Sequence, residues 1–258
     1  MFNPRLTETL TDFPFARLNA LIAPITPPAH LSMINLSVGE PQGAIASIDY
    51  LQKLLAKCRE HDTVLAVDEC YAEIYTGDAP PGALQAALAM DTTGGNDPFR
   101  NLAVFHSLSK RSNAAGLRSG FVAGDPRLVA MMLRWRTYGG PQIPIAVQKA
   151  SAALWDDEAH PVETREWYRR NFRVAEQILH NRFGYYTPGG GFFLWLDVGD
   201  GEEATRRLWG EAHLKVLPGA YCCRETAGIN TAERYIRVAL VHDEQITREA
   251  LTRLAQVL

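Results

Sequence analysis

The sequence predicts an α/β fold, with a mostly parallel sheet in a larger domain followed by a smaller C-terminal α+β domain. Three observations predict it. Residues 64–67 and 102–105, and more weakly 120–123, are short runs in which neighbouring positions are both apolar. Strands buried on both faces of a parallel sheet read this way. Helical patterns alternate with these runs up to about residue 160. Beyond it the order changes to strand, helix, short strand, strand and helix, which suits a separate unit.

Taken in order, residues 1–42 are rich in proline and form an N-terminal arm. Pro24, Pro27 and Pro28 end any helix around residues 18–23. Ser47 is placed as an N-cap, and residues 48–61 keep helical period with Leu51, Leu54, Leu55 and Cys58 on one face. Residues 77–97 form a Gly- and Pro-containing loop with a short helical patch near 83–89. Asp125 and Pro126 start a helix as N-cap and N1, running to about Arg136. The Gly139-Gly140-Pro141 break precedes a helix over 145–154, and a long amphipathic helix covers about 162–182. Residues 192–198 predict a strand, 202–212 a helix, 215–217 a short strand and 235–239 a strand. Asp243 caps a last helix to about Val257. The expected domains are the arm at 1–42, a large domain at 43–160 and a small domain at 161–258.

Composition excludes several classes. The 258 residues are 47% hydrophobic and 21% charged, with a net charge of -3, which gives no reason to expect nucleic acid or an anionic membrane as a partner. Arg165, Arg169, Arg170 and Arg173 lie about a turn apart and predict a solvated helix face. No apolar run approaches the roughly 18 residues of a membrane span. Residues 1–11 lack a basic-then-apolar leader, so a cytoplasmic protein is expected. The four cysteines, Cys58, Cys70, Cys222 and Cys223, have no zinc spacing and are expected as structural thiols, with no metal.

The chemistry concentrates at two strand ends. Ser107-Leu108-Ser109-Lys110 follows the run 102–105 directly, and Gly116-Leu117-Arg118-Ser119-Gly120 comes soon after. Open α/β sheets bind ligands at the carboxyl ends of their strands. There, two hydroxyls and the fork of Arg118 suit a phosphate, and the Lys110 amine suits a Schiff base to an aldehyde. Asp68 ends the preceding strand, with Tyr71 three residues on. An acid against a pyridine nitrogen keeps that ring an electron sink.

In this order, Asp-x-x-Tyr, Ser-x-Ser-Lys and Gly-x-Arg-x-Gly resemble the fold-type I, class I/II aminotransferases that depend on pyridoxal 5'-phosphate (PLP). The resemblance runs from about Gly43 to Leu258. It implies the PLP-dependent transferase fold, with Lys110 carrying the cofactor and shuttling the proton. It further implies Asp68 at the pyridinium, Tyr71 at the ring oxygen, and Ser107, Ser109 and Arg118 at the phosphate. In Tyr235-Ile236-Arg237-Val238, Arg237 resembles the arginine that grips the substrate α-carboxylate. Its substrates would be amino acids and 2-oxo acids, and a homodimer is implied.

The segments Phe13-Pro14-Phe15-Ala16-Arg17-Leu18 and Asn35-Leu36-Ser37-Val38-Gly39-Glu40-Pro41-Gln42 resemble the start of bacterial succinyldiaminopimelate aminotransferases of lysine biosynthesis. That implies transfer between glutamate and N-succinyl-2-amino-6-oxopimelate, with the Gly39 backbone near the substrate carboxylate. In that family a whole block of the large domain follows the Gly-Glu-Pro segment. Here Gln42-Gly43-Ala44 comes straight after Pro41, so an internal deletion near 41–43 and a truncated large-domain sheet are expected. An active aminotransferase, a non-catalytic remnant and a carbon–sulfur β-lyase of the same fold all stay open.

Overall fold

The structure, a computed structural model, describes residues 13–37, 43–90, 97–140 and 142–258. In chain order the first elements are α1 (Pro14–Ile22), β1 (Ile34–Asn35), α2 (Ile48–Glu60), β2 (Leu65–Asp68) and α3 (Ala83–Leu88). Then come β3 (Leu102–Ser107), α4 (Leu108–Arg111), β4 (Gly120–Gly124), α5 (Pro126–Gly139), α6 (Ile145–Asp156) and α7 (Ala159–Leu179). The chain ends with β5 (Phe193–Asp197), α8 (Gly201–Ala212), β6 (Leu214–Lys215), β7 (Leu217–Pro218), β8 (Tyr235–Ala239) and α9 (Glu244–Val257). Two compact units result. One holds Ala44–Arg169 and Gly189–Gly191; the other holds the described residues up to Gly43, Arg170–Pro188 and Phe192–Leu258.

In the first unit the sheet order is β2-β3-β4. β2 runs parallel to β3, with Leu65 opposite Leu102 and Asp68 opposite Phe105. β4 was expected as a third parallel strand and instead runs antiparallel, with Ser107 opposite Gly120. The reason is the connection. A six-residue strand is about 20 Å long, whereas the four-residue α4 advances only about 6 Å. No helix in the connection is long enough to carry the chain back for a parallel return. Gly124 shows how close the pair is: its φ is +141°, and a Cβ there would lie 2.1 Å from the Leu102 carbonyl oxygen.

One face of this sheet packs on α2 and α3 through Leu51, Leu55, Ala86, Leu102 and Val104, with Leu54 and Cys58 partly buried against them. Burying each such leucine fully is worth ~1.5–3 kcal/mol. Ser47 caps α2 by accepting from the Tyr50 N–H at 3.2 Å. Asp125 caps α5 through the Arg127 N–H at 2.9 Å, with Pro126 in the first turn.

The second unit has a sheet of order β5-β8-β7, in which β5 and β8 pair antiparallel with Phe193 opposite Ala239. The segment expected as one strand over 215–217 is divided. Leu214–Lys215 pairs in parallel with β1, and Leu217–Pro218 pairs with β8. Leu194, Leu196, Ile236 and Val238 meet Leu208 of α8 and Leu251 and Leu254 of α9 in the core. The described part of the expected arm is built into this unit, where Leu18 and Ile22 of α1 pack on Leu217 and Tyr221. Asp243 caps α9 by accepting from the Ile246 N–H at 2.8 Å.

The arginine cluster on α7 is only in part a solvated face. Arg170 and Arg173 are exposed. Arg165 instead donates to the Glu73 carbonyl at 2.9 Å, pairs with the Glu73 carboxylate at 2.9 Å and stacks 4.1 Å from the centre of the Tyr75 ring. Arg169 donates to the carbonyls of Tyr75 and Gly77. The turn after Tyr71 leaves carbonyls without a ladder partner, and these two guanidiniums satisfy them. All four cysteines are free thiols. Among the described residues no helix is long and apolar enough to cross a membrane.

Candidate active site

β2 and β3 are parallel and in register, so the residues that follow them leave the sheet at the same end. Asp68 stands at the end of β2, exposed, and its Oδ1 accepts from the Cys70 N–H at 3.0 Å. That bond opens the turn over residues 70–73, which carries Tyr71. Lys110 reaches the same place from α4, with its Nζ 5.3 Å from the centre of the Tyr71 ring.

Ser107 ends β3 and caps α4. Its Oγ accepts from the Ser109 N–H at 3.1 Å and donates to the Ser109 Oγ at 2.9 Å. Ser107 also sits opposite Gly120, where a Cβ would lie 2.2 Å from the His106 carbonyl oxygen. Only glycine lets β4 start so close to β3, and Arg118 stands two residues before that glycine. Arg118 has φ +51° and ψ +42°, is exposed, and donates from Nη1 to the Ala115 carbonyl at 3.0 Å.

Six of the expected site residues therefore share one sheet end in one unit: Asp68, Tyr71, Ser107, Ser109, Lys110 and Arg118. Arg237 belongs to the other unit, on β8 between Trp195 and Leu217. It is not a surface strand arginine, being only 3% exposed. Its Nη2 donates to the Ser37 carbonyl at 2.9 Å, and its guanidinium lies 5.0 Å from the centre of the Phe193 ring. Gly39, two residues beyond Ser37, lies outside the described residues.

Sequence reasoning missed His106 and Glu69, each one step along the chain from an expected site residue. Their side chains meet at 3.1 Å and are largely buried, and Glu69 also accepts from the Ala83 N–H. They line a cavity of about 230 Å³ with Cys70, Ser107, Phe121 and Trp155. The only signal in the sequence was their position, each next to an expected site residue at a strand end. Among the described residues no group of His, Cys, Asp and Glu side chains could hold a metal ion.

The donor set fits PLP in chemical type. An acid ends one parallel strand, an amine and two hydroxyls follow the next, and an exposed guanidinium stands at the corner into β4. Fold and site together define a chain of the PLP-dependent transferase fold. The chain belongs to the aminotransferase class I and II family, whose model matches residues 16–254. Members of this family depend on PLP.

Among its relatives is the 4-dedimethylamino-4-oxo-anhydrotetracycline transaminase OxyQ of Streptomyces rimosus, 30% identical over 97% of this chain and 68% of the relative. An LL-diaminopimelate aminotransferase of Nitratidesulfovibrio vulgaris is 31% identical over 84% of this chain and 54% of its own length. The crystal structure of an aminotransferase from Neisseria meningitidis superposes with a TM-score of 0.77 at 38% identity, covering 87% of this chain and 57% of that one. The chain thus spans between about half and two thirds of the length of these proteins.

Proposed function

We propose that this chain is a PLP-dependent aminotransferase that moves an amino group between glutamate and N-succinyl-2-amino-6-oxopimelate. One observation carries the reading: the acid, the amine and the phosphate-type donors stand at one sheet end, in a chain of the aminotransferase family. PLP, when bound, supplies an aldehyde and an electron-withdrawing ring. Lys110 Nζ would hold the cofactor's aldehyde end and would move the substrate proton. The Asp68 carboxylate would face the ring nitrogen and keep it protonated, and the Tyr71 hydroxyl would bond the ring oxygen. Ser107, Ser109 and Arg118 would hold the phosphate, Arg118 by its planar fork. Arg237 grips the substrate α-carboxylate, beside the Gly39 backbone.

The arm segments around residues 13–18 and 35–42 support the substrate, and a diaminopimelate aminotransferase among the relatives agrees with a long acidic amino acid. The reading includes a cytoplasmic homodimer, an arm at 1–42, a large domain at 43–160 that lacks a block at 41–43, and a small domain at 161–258. A second reading, a non-catalytic remnant, is favoured by one observation. β2 has β3 as its only sheet neighbour among the described residues, and Ala66 on it is exposed.

Incubation with PLP, borohydride reduction and peptide mapping separate the two. The aminotransferase gives a covalent adduct on Lys110 that Lys110→Ala abolishes; the remnant gives none. Turnover of N-succinyl-diaminopimelate with 2-oxoglutarate, compared with pyruvate release from a cysteine thioether, then separates transaminase from β-lyase.

A further inference from the structure

Lys110 is the third residue of a helix of only four residues. A single helical turn has no stability of its own, because its nucleation cost is recovered only by further turns or by outside contacts. Part of its anchorage is local. The Ser107 cap and the fully buried Leu108 side chain hold its start, and the Leu108 carbonyl accepts from the N–H groups of Ser112 and Ala114.

The rest comes from the two residues that follow Lys110. Arg111 is 6% exposed, and its guanidinium donates to the Leu154 carbonyl at 2.7 Å, the Asp157 carbonyl at 3.3 Å and the Glu158 carboxylate at 2.7 Å. The same guanidinium lies 5.1 Å from the centre of the Trp155 ring. The Ser112 Oγ meets His160 Nε2 at 2.8 Å, and His160 Nδ1 lies 3.0 Å from Asp157 Oδ2. Asp157 is itself fixed, since its Oδ1 accepts from the Ala159 N–H at 2.8 Å at the start of α7. The adjacent His160 ring, and after it the Ala159 N–H, hold the Asp157 carboxyl below the usual carboxylate range.

We propose that Arg111 and the chain Ser112–His160–Asp157 form a two-pronged clamp that ties the turn bearing Lys110 to the α6–α7 junction, making Arg111, Ser112 and His160 positioning residues for Lys110. The proposal rests on Lys110 being the PLP-binding lysine. Its geometry fits that task. One prong is a planar guanidinium shared among three oxygens, which fixes orientation as a point charge would not. The other is a hydroxyl hydrogen-bonded to an imidazole, whose second nitrogen lies in ion-pair contact with the Asp157 carboxylate. Neither prong uses the Lys110 side chain, which lies over Tyr71.

The test uses the full chain, its Arg111→Gln, His160→Ala, Ser112→Ala and Ser112→Thr variants, and two measurements. The first is amide hydrogen exchange of the peptide spanning residues 107–114. It should speed up at least tenfold in the Gln and Ala variants, return to the wild-type rate in Ser112→Thr, and leave β5 and β8 peptides unchanged. The second is the yield of the borohydride-trapped PLP adduct on Lys110 at limiting PLP, which should fall severalfold in the same variants and recover in Ser112→Thr.

Unchanged exchange in folded variants overturns the clamp. Faster exchange with an unchanged Lys110 adduct overturns the positioning role. A wild-type chain that forms no adduct fails the aminotransferase reading instead, and exchange still decides the clamp. Should Arg111→Gln not fold, His160→Ala and Ser112→Ala, at half-buried positions, carry both measurements.

Discussion

Asn101 and Asp125 are joined by a buried hydrogen bond: the Asn101 N–H, just before β3, donates to Asp125 Oδ2 at 3.0 Å. The same carboxylate caps α5 and pairs with the Arg127 guanidinium at 2.7 Å. The Arg127 hydrogen bond, together with those from the Asn101 and Arg127 backbones, holds this carboxyl well below the usual range against the opposing effect of burial. Asp125→Ala should cost about 2–4 kcal/mol, the sum of a lost cap and a stranded buried donor. A carboxyl lowered in the folded state stabilises fully above its unfolded value and loses that contribution as pH falls through its folded one. The gap between wild type and variant should therefore be full at neutral pH and narrow below about pH 4. Urea denaturation at both values checks this, and a gap that widens in acid would contradict it.

Two glycines on either side of Arg118 should behave oppositely. Gly124→Ala meets a carbonyl oxygen at a positive φ and should destabilise the first unit by about 2–5 kcal/mol. Gly116→Ala meets nothing within 4 Å and should stay within about 0.5 kcal/mol of wild type. Thermal unfolding of both variants reads the difference, and equal midpoints would refute it.

Arg165→Ala removes a guanidinium that serves a backbone carbonyl, a carboxylate and an aromatic face. The expected loss is about 1–3 kcal/mol, toward the lower end because Glu73 is partly solvated. The segment from Tyr71 to Gly77 should also be cut faster in limited proteolysis. Unaltered cleavage there would show that this guanidinium does not hold the turn.

The sequence made legible whatever depends on near neighbours. Ser47, Asp125 and Asp243 cap the helices assigned to them, because a cap is decided within three residues. The runs at 64–67 and 102–105 fall on β2 and β3, but burial on two faces holds only for residues 102–104 of β3, since Val64 and Ala66 are exposed. The direction of β4 was not legible, since it depends on how far α4 can carry the chain. β1 was missed because two residues show no period, and its existence depends on pairing with Leu214–Lys215. Arg165 and Arg169 were read as solvated because spacing does not reveal the carbonyls of Glu73 and Tyr75. At the site, residue types and order were legible at Asp68, Tyr71 and Lys110. The clamp on Lys110 was not, because Arg111 and His160 are far apart along the chain.

Arg237→Lys keeps a cation on β8 and removes the planar fork. The proposed role predicts a 10–100-fold fall in kcat/KM for amino acids, the worth of about one charge-assisted hydrogen bond. Amines lacking the α-carboxylate should be affected little. Steady-state kinetics with matched pairs checks this, provided near-UV circular dichroism is unchanged. An equal loss for both classes would remove Arg237 from carboxylate recognition.

β2 has a further consequence. Leu65 and Glu69 direct their N–H groups to the carbonyls of Asn101, just before β3, and Phe105, within it, so alternation turns the backbone groups of Ala66 and Asp68 toward the opposite edge. Bare strand edges recruit other chains, and inward or terminal charges deter them. Asp68 is the one charged residue in the strand Leu65–Asp68. Among the described residues nothing pairs with that edge, so Asp68 is expected to act as a gatekeeper against edge-to-edge stacking. Neutralising it should raise self-association as well as alter the site, which light scattering on Asp68→Asn beside wild type would read, and unchanged scattering would remove this role.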